Sequence, residues 1–188
     1  MARVGLVDNP CLSKGALATS NTQRVEQIRA IVEGMGRTVA TPAEARAMLL
    51  ILRFLAAMST KAGESAGSTE AGLMTHGFGP TPRFHGLIAE ADNPLGMILY
   101  FPEYSTWRGE MGLFVQDIDI APAGRGQGRS LLAGAMARAD RAPQFPTLMV
   151  AHGNTAEHGF CGSLGLTLRD KADWLILEEK GLRALMQP

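Results

Sequence analysis

Two cysteines in 188 residues, Cys11 and Cys161, stand far apart and outside any CxxC or Cys/His spacing. That pattern excludes a disulfide scaffold and a structural zinc site, and it points to a reducing, cytoplasmic setting. Net charge is missing as well. Eighteen basic and 18 acidic residues cancel, so no overall field draws the chain to nucleic acid or to an anionic membrane. The longest apolar run, residues 47–58, is interrupted by Arg53 and falls short of the roughly 20 residues of a membrane span. Residues 1–8 lack the basic cluster and apolar stretch of a secretory signal. Histidine is scarce: His76, His85, His152 and His158 form no HxxxH or HExxH pair, so no metal is expected. What remains is a globular composition, 46% hydrophobic and 19% charged, at a length that suits one well-buried α/β core.

Residues 1–35 read as an N-terminal extension and 36–188 as the domain proper, with Met35 an alternative start. Pro10, Gly15 and the polar run 18–22 break the extension up. Within it, Ser20 and Gln23 form a capping-box pattern, and Val25, Ile28, Ile31 and Val32 fall on one helical stripe before Gly34. From residue 37 the pattern tightens. Residues 38–40 read as a short strand, and Thr41, Pro42 and Glu44 are the signature of a helix start. The helix should run over 41–58 and bury Ala45, Met48, Leu49, Leu52 and Leu55. A Gly/Ser-rich loop follows over 61–68, then a short helix capped by Ser68 or Thr69 and ended near Gly77.

Runs 83–90 and 95–101, separated by Asp92-Asn93-Pro94, predict two antiparallel strands, and 111–121 a third that stops at Pro122. A helix opens within 124–128 and continues to about Ala139, with Leu131, Leu132, Met136 and Ala139 facing the core. Strands are expected at 147–150, 166–169 and 174–177, a helix at 154–163 and a final helical turn over 178–186.

The turn after Pro122 carries the chemistry. Arg125-Gly126-Gln127-Gly128-Arg129-Ser130 places glycines and backbone N–H groups at a helix N-terminus, where phosphate oxygens approach closely and the helix dipole favours negative charge. The order strand, helix, helix, three antiparallel strands, Gly-rich loop, helix, strand, Asn-led helix resembles the GNAT superfamily of N-acetyltransferases from about Arg37 to Met186. The spacing Arg125-x-x-Gly128-x-Ser130 is similar to the family's phosphate loop, with Ser130 where glycine or alanine is usual. Tyr104-Ser105-Thr106-Trp107-Arg108-Gly109, the Gln116-Asp117 pair, and the stretch from Gly165 through Trp174 to Leu185 resemble the diamine-acetyltransferase-like subgroup. Asn154, Phe160, Leu164 and Gly165 match positions of the family's later helix, with Glu157 replacing an alanine.

The resemblance implies an α/β (α+β) fold with a mixed, mostly antiparallel twisted sheet of six to seven strands flanked by helices and splayed at an acetyl-CoA cleft. It implies acetyl-CoA as co-substrate, held by Arg125, Gly126, Gln127, Gly128, Arg129 and Ser130, by the backbone of Ile118, Asp119 and Ile120, and by Asn154 and Phe160. The acceptor is then a small, cationic primary amine, its pocket built from loops 61–82 and 102–109. Dimerisation, common among such relatives, is a further expectation.

Two departures bear on catalysis. The subgroup's glutamate before Asp117 is Gln116, which orients water but takes up no proton. Asp117 keeps its carboxylate, and Asp119 adds a second on the same strand face if no bulge intervenes. The tyrosine expected after Phe160, which would protonate the leaving thiolate, is Cys161. A thiol suits that task, although a helical cysteine is also commonly a small buried hydrophobe. Tyr104 is an alternative donor, Trp107 a candidate lining of the acceptor cavity, and His152 a candidate for the cofactor cleft. Because both altered positions are the ones credited with proton transfer, a cofactor-binding module with weakened catalysis is the rival reading.

Overall fold

The computed structural model describes residues 11–13, 16–35, 41–63, 67–78 and 81–169. The chain divides into two compact units, Met1–Met149 and Val150–Pro188. The expected strands at 38–40 and 174–177 and the expected helix at 178–186 lie outside the described residues.

In the first unit, the extension holds two short antiparallel strands, β1 (Cys11–Ser13) and β2 (Ala16–Leu17), which the sequence reading did not anticipate, followed by α1 (Asn21–Gly34). The Ser20 hydroxyl caps α1 by accepting from the Gln23 amide at 3.3 Å. The Gln23 side chain reaches one residue further back than in a regular capping box, accepting from the Thr19 amide at 2.8 Å. The Gln27 side-chain amide donates to the Leu12 carbonyl and ties helix to strand.

Helix α2 (Pro42–Ala62) starts where its sequence says it should. Thr41 and Glu44 form a complete capping box, with Pro42 in the first turn. It ends on Gly63, whose φ of 70° is the left-handed C-cap conformation that glycine adopts without strain. The buried residues of the helix are Met48, Leu50, Ile51 and Phe54, while Leu49 is exposed. The expected face centred on Leu49 and Leu52 was therefore rotated. Nearly every position from 47 to 55 is apolar, so periodicity alone does not fix which stripe turns inward. Helix α3 (Glu70–Gly77), capped by the Thr69 hydroxyl, adds Leu73 to the same core.

Among the described residues the main sheet has four strands in the order β3 (His85–Glu90), β4 (Pro94–Ser105), β5 (Glu110–Ile120), β6 (Phe145–Leu148). The first three are antiparallel neighbours, and β6 joins β5 in parallel. Strand β4 runs through Pro102, which pairs with Leu113, so residues 102–105 are strand and not the expected loop.

Paired residues on neighbouring strands share a face. On one side Ile98, Tyr100, Leu113 and Val115 are buried, and α4 (Gln127–Arg138) covers them with Leu131, Leu132 and Ala135. On the other, Met97 and Leu99 pack with Met48, Ile51, Phe54 and Leu73 of α2 and α3.

The second unit contains α5 (Thr155–Ser163), capped by the Asn154 side chain, which accepts from the Glu157 amide at 3.2 Å. Residues 166–169, expected as a strand, are irregular.

Candidate functional site

The pairing of β5 changes character at Gln116. Leu99 faces Asp117 and Tyr100 faces Val115, so Gln116 is the extra residue of a β-bulge. The parallel ladder with β6 covers only Gly112 to Val115 and ends at the same point. From Gln116 to Ile120 β5 has no strand beside it on that side among the described residues. The Ala121 amide donates to the Leu95 carbonyl on β4 at 2.9 Å. By alternation along the strand, the backbone groups of Ile118 and Ile120 point away from β4, toward the unpaired edge. This stretch offers donors and acceptors to an extended ligand lying along β5.

The same strand leads into the Gly-rich turn. A 3₁₀ turn over Pro122–Gly124 presses against β4, and a Cβ on Gly124 would lie 2.0 Å from the Leu95 carbonyl oxygen. Gly126 follows at φ 94° with nothing within 4 Å of where a Cβ would stand. Helix α4 then begins without a side-chain cap, whereas α1, α2, α3 and α5 are capped by Ser20, Thr41, Thr69 and Asn154. A first turn with no side-chain acceptor, open approach at Gly126 and flanking Arg125 and Arg129 fits a diphosphate. Gln127, Gly128 and Arg129 supply the first-turn amides, and Ser130 is exposed beside them.

Asp117 and Asp119 lie beyond the bulge, in regular register with Leu99 and Met97, so both side chains turn to the α2 and α3 side. Their surroundings differ. Burial pushes the Asp117 carboxyl above the ordinary range, since removing water penalises the charged form. Asp119 is met by Lys61 of α2, whose Nζ stands 2.5 Å from Oδ1, with the Asp119 side chain only 12% exposed. Further along this face the Phe101 and Phe114 rings stack at 5.0 Å. Beyond them the Thr147 hydroxyl donates to Glu103 Oε1 at 2.6 Å, and Gly112 leaves room for the Phe145 ring. Neither the Lys61 ion pair nor the Glu103 contact was foreseen, because no local pattern links residues so distant in sequence.

Within the first unit, two other expected site residues stand apart from this group. Tyr104 lies in β4 opposite Met111, on the face carrying Tyr100 and Val115, and is 60% exposed. Trp107 is 99% exposed at the hairpin tip. In the second unit, Phe160 and Cys161 are half-buried on α5, and His152 is exposed ahead of Asn154. Burial and the Glu157 charge one turn away push the Cys161 thiol up, which keeps it protonated. No described group of His, Cys, Asp and Glu side chains has the arrangement of a metal site.

Two kinds of relative match the chain. The model of the beta-keto acid cleavage enzyme family matches residues 1–51. The 3,5-dioxohexanoate:acetyl-CoA acetone transferase of Paraburkholderia graminis is 50% identical over 48 residues, 26% of this chain and 16% of that enzyme. The thialysine N-epsilon-acetyltransferase of Bos taurus is 36% identical over 90 residues, 43% of this chain and 52% of that enzyme. The chain therefore spans about half the length of the second relative and about a sixth of the first. Among solved structures, an integron cassette protein of V. cholerae superposes with a TM-score of 0.59 at 18% identity, covering 75% of this chain and 91% of that one. A probable acetyltransferase gives 0.55 at 17% identity, covering 74% and 94%. The chain has the GNAT acetyltransferase fold. An aminoglycoside acetyltransferase from an uncultured soil sample agrees, with a TM-score of 0.57 at 11% identity over 74% of this chain and 92% of its own.

Within the GNAT fold, the end of the β5 to β6 ladder and the glycine turn into α4 are consecutive features of one strand. The match to the beta-keto acid cleavage enzymes stops inside α2, and the sequence reading missed it because residues 1–51 carry no spacing that announces a chemistry. Among the described residues, no helix is long and apolar enough to cross a membrane.

Proposed function

We propose that this chain is an acetyl-CoA-dependent N-acetyltransferase acting on the primary amine of a small, cationic acceptor. The observation that carries the reading is the continuity of β5: a backbone edge at Ile118 and Ile120, unpaired among the described residues, runs directly into the uncapped first turn of α4. When bound, acetyl-CoA would supply the activated acyl group. The first-turn amides of α4, with Arg125 and Arg129, hold its diphosphate, and the outward backbone of Ile118 and Ile120 holds the arm that follows.

Asp117 serves the acceptor. A primary alkylamine is protonated near neutral pH and reacts only as the free base. A carboxylate whose pKa is raised by burial is a better proton acceptor than an ordinary one, and in its charged form it attracts the ammonium. Gln116, exposed at the bulge, orients water or substrate by hydrogen bonding. Cys161, kept as a neutral thiol, is in the state a proton donor needs and not the thiolate state a nucleophile needs. The related thialysine acetyltransferase, by its name, acts on an ε-amine of an amino acid analogue, which agrees with an acceptor of this kind.

Calorimetry tests the cradle first. Acetyl-CoA is expected to bind one site per chain, and Gly126→Val, which forces a β-branched residue to φ 94° and fills the approach to the turn, is expected to weaken it by about tenfold or more. Wild-type affinity in that variant would remove the turn from the site. Cys161→Ala is expected to lower kcat by about a hundredfold, the usual scale for losing one proton-transfer group, with acetyl-CoA affinity retained. Full turnover in steady-state assays would take Cys161 out of the mechanism.

A further inference from the structure

Asp117 and Asp119 stand two residues apart on the same side of β5, so their Cα atoms are about 7 Å apart at strand spacing. Two carboxylates so placed would together attract a doubly charged ligand. The structure breaks that symmetry. Lys61, from the last turn of α2, reaches Asp119 at 2.5 Å and remains 62% exposed, while the carboxylate it meets is 12% exposed. Among the described residues Asp117 meets no such cation: its carboxyl is shifted by burial.

We propose that Lys61 sets the charge of the acceptor face by neutralising Asp119, so that the face presents one negative charge and gives no advantage to a second cation on the acceptor. This rests on the acetyltransferase reading above and names what that reading leaves open, the charge state of the preferred amine. Lys61 touches no reacting group. It acts through Asp119, and its effect falls on acceptors according to their charge and not on the chemistry.

The test compares hexylamine with 1,6-diaminohexane, equal in chain length and differing by one ammonium, on the full chain. With Lys61 present the two should have similar KM values. Lys61→Met keeps the length of the stem and removes the charge. It is expected to lower KM for the diamine about three- to fivefold, the scale of a partly exposed charge pair, with kcat and the hexylamine KM within about twofold of wild type. Asp119→Asn leaves Lys61 unopposed and should raise the diamine KM, so the two variants move the preference in opposite directions. Equal changes for both amines, or a diamine KM that does not respond to either variant, overturn the proposal. If none of the three proteins acetylates either amine, the acetyltransferase reading itself fails, and calorimetric binding of the diamine then decides: equal affinity in wild type and Lys61→Met overturns the charge assignment as well.

Discussion

Replacing Gly124 by alanine is expected to unfold the protein at markedly lower urea concentration and to abolish acetyl-CoA binding together. The added Cβ would lie 2.0 Å from the Leu95 carbonyl oxygen, 2.7 Å from its carbon and 3.0 Å from its Cβ. The first two contacts are to backbone. That carbonyl has nowhere to go, because it also accepts from the Ala121 amide at 2.9 Å, and moving it breaks the last rung between β4 and β5. The alternative is for the 3₁₀ turn to lift off β4, which carries the start of α4 with it. Overpacking against a rigid neighbour costs about 1–3 kcal/mol, and losing that rung adds to it. A total of about 3 kcal/mol corresponds to a fall in Tm of about 6–12 °C for a chain of this size. Because the displaced turn precedes Gly126, calorimetry at a temperature where the variant is still folded should show acetyl-CoA binding lost as well. A variant with the wild-type urea midpoint would mean that β4 yields where the structure shows it fixed.

Gly124 also marks what the sequence makes legible. The glycines of the turn are visible as a run, and the cap signals at Thr41, Thr69 and Asn154 announce their helices correctly, since each is a local hydrogen bond between residues three apart. Which glycine is sterically obligatory is not local: it depends on Leu95, on a different strand. The same holds for α2, where an almost continuous apolar run hid the fact that Ile51 and Phe54, not Leu49, meet Met97 and Leu99. Pro102 suggested a strand end, yet β4 continues through it because the chain there pairs well past the proline. The bulge at Gln116 had no sequence signal, and it decides where the ladder to β6 ends. Of the candidate site, the Gly-rich turn into α4 was readable from composition and spacing. The ion pair of Lys61 with Asp119 was not, since only the fold brings residues 58 positions apart together.

Asp117→Asn is expected to separate stability from activity, moving them in opposite directions. Burial raises the Asp117 pKa above that of an unfolded chain, so the folded state holds its proton to higher pH. The stability this group contributes is therefore fully present below the unfolded value and is lost as pH rises through the raised native one. At neutral pH the wild type keeps a half-buried charge that is poorly solvated, and asparagine relieves it. The variant should match or exceed wild-type stability at neutral pH, by about 1 kcal/mol or less because the carboxylate keeps part of its water, and the slope of stability against pH across the mildly acidic range should flatten. Activity should fall: an amide neither accepts the proton of an ammonium nor attracts its charge, so kcat/KM for a cationic amine is expected to drop about a hundredfold. The acidic limb of the wild-type profile, where the rate climbs as Asp117 ionises, should disappear with it, leaving only the ionisation of the acceptor. A purely structural Asp117 predicts something else, with stability and rate changing together and the acidic limb unmoved, so urea melts and rate profiles on the same two proteins decide between them.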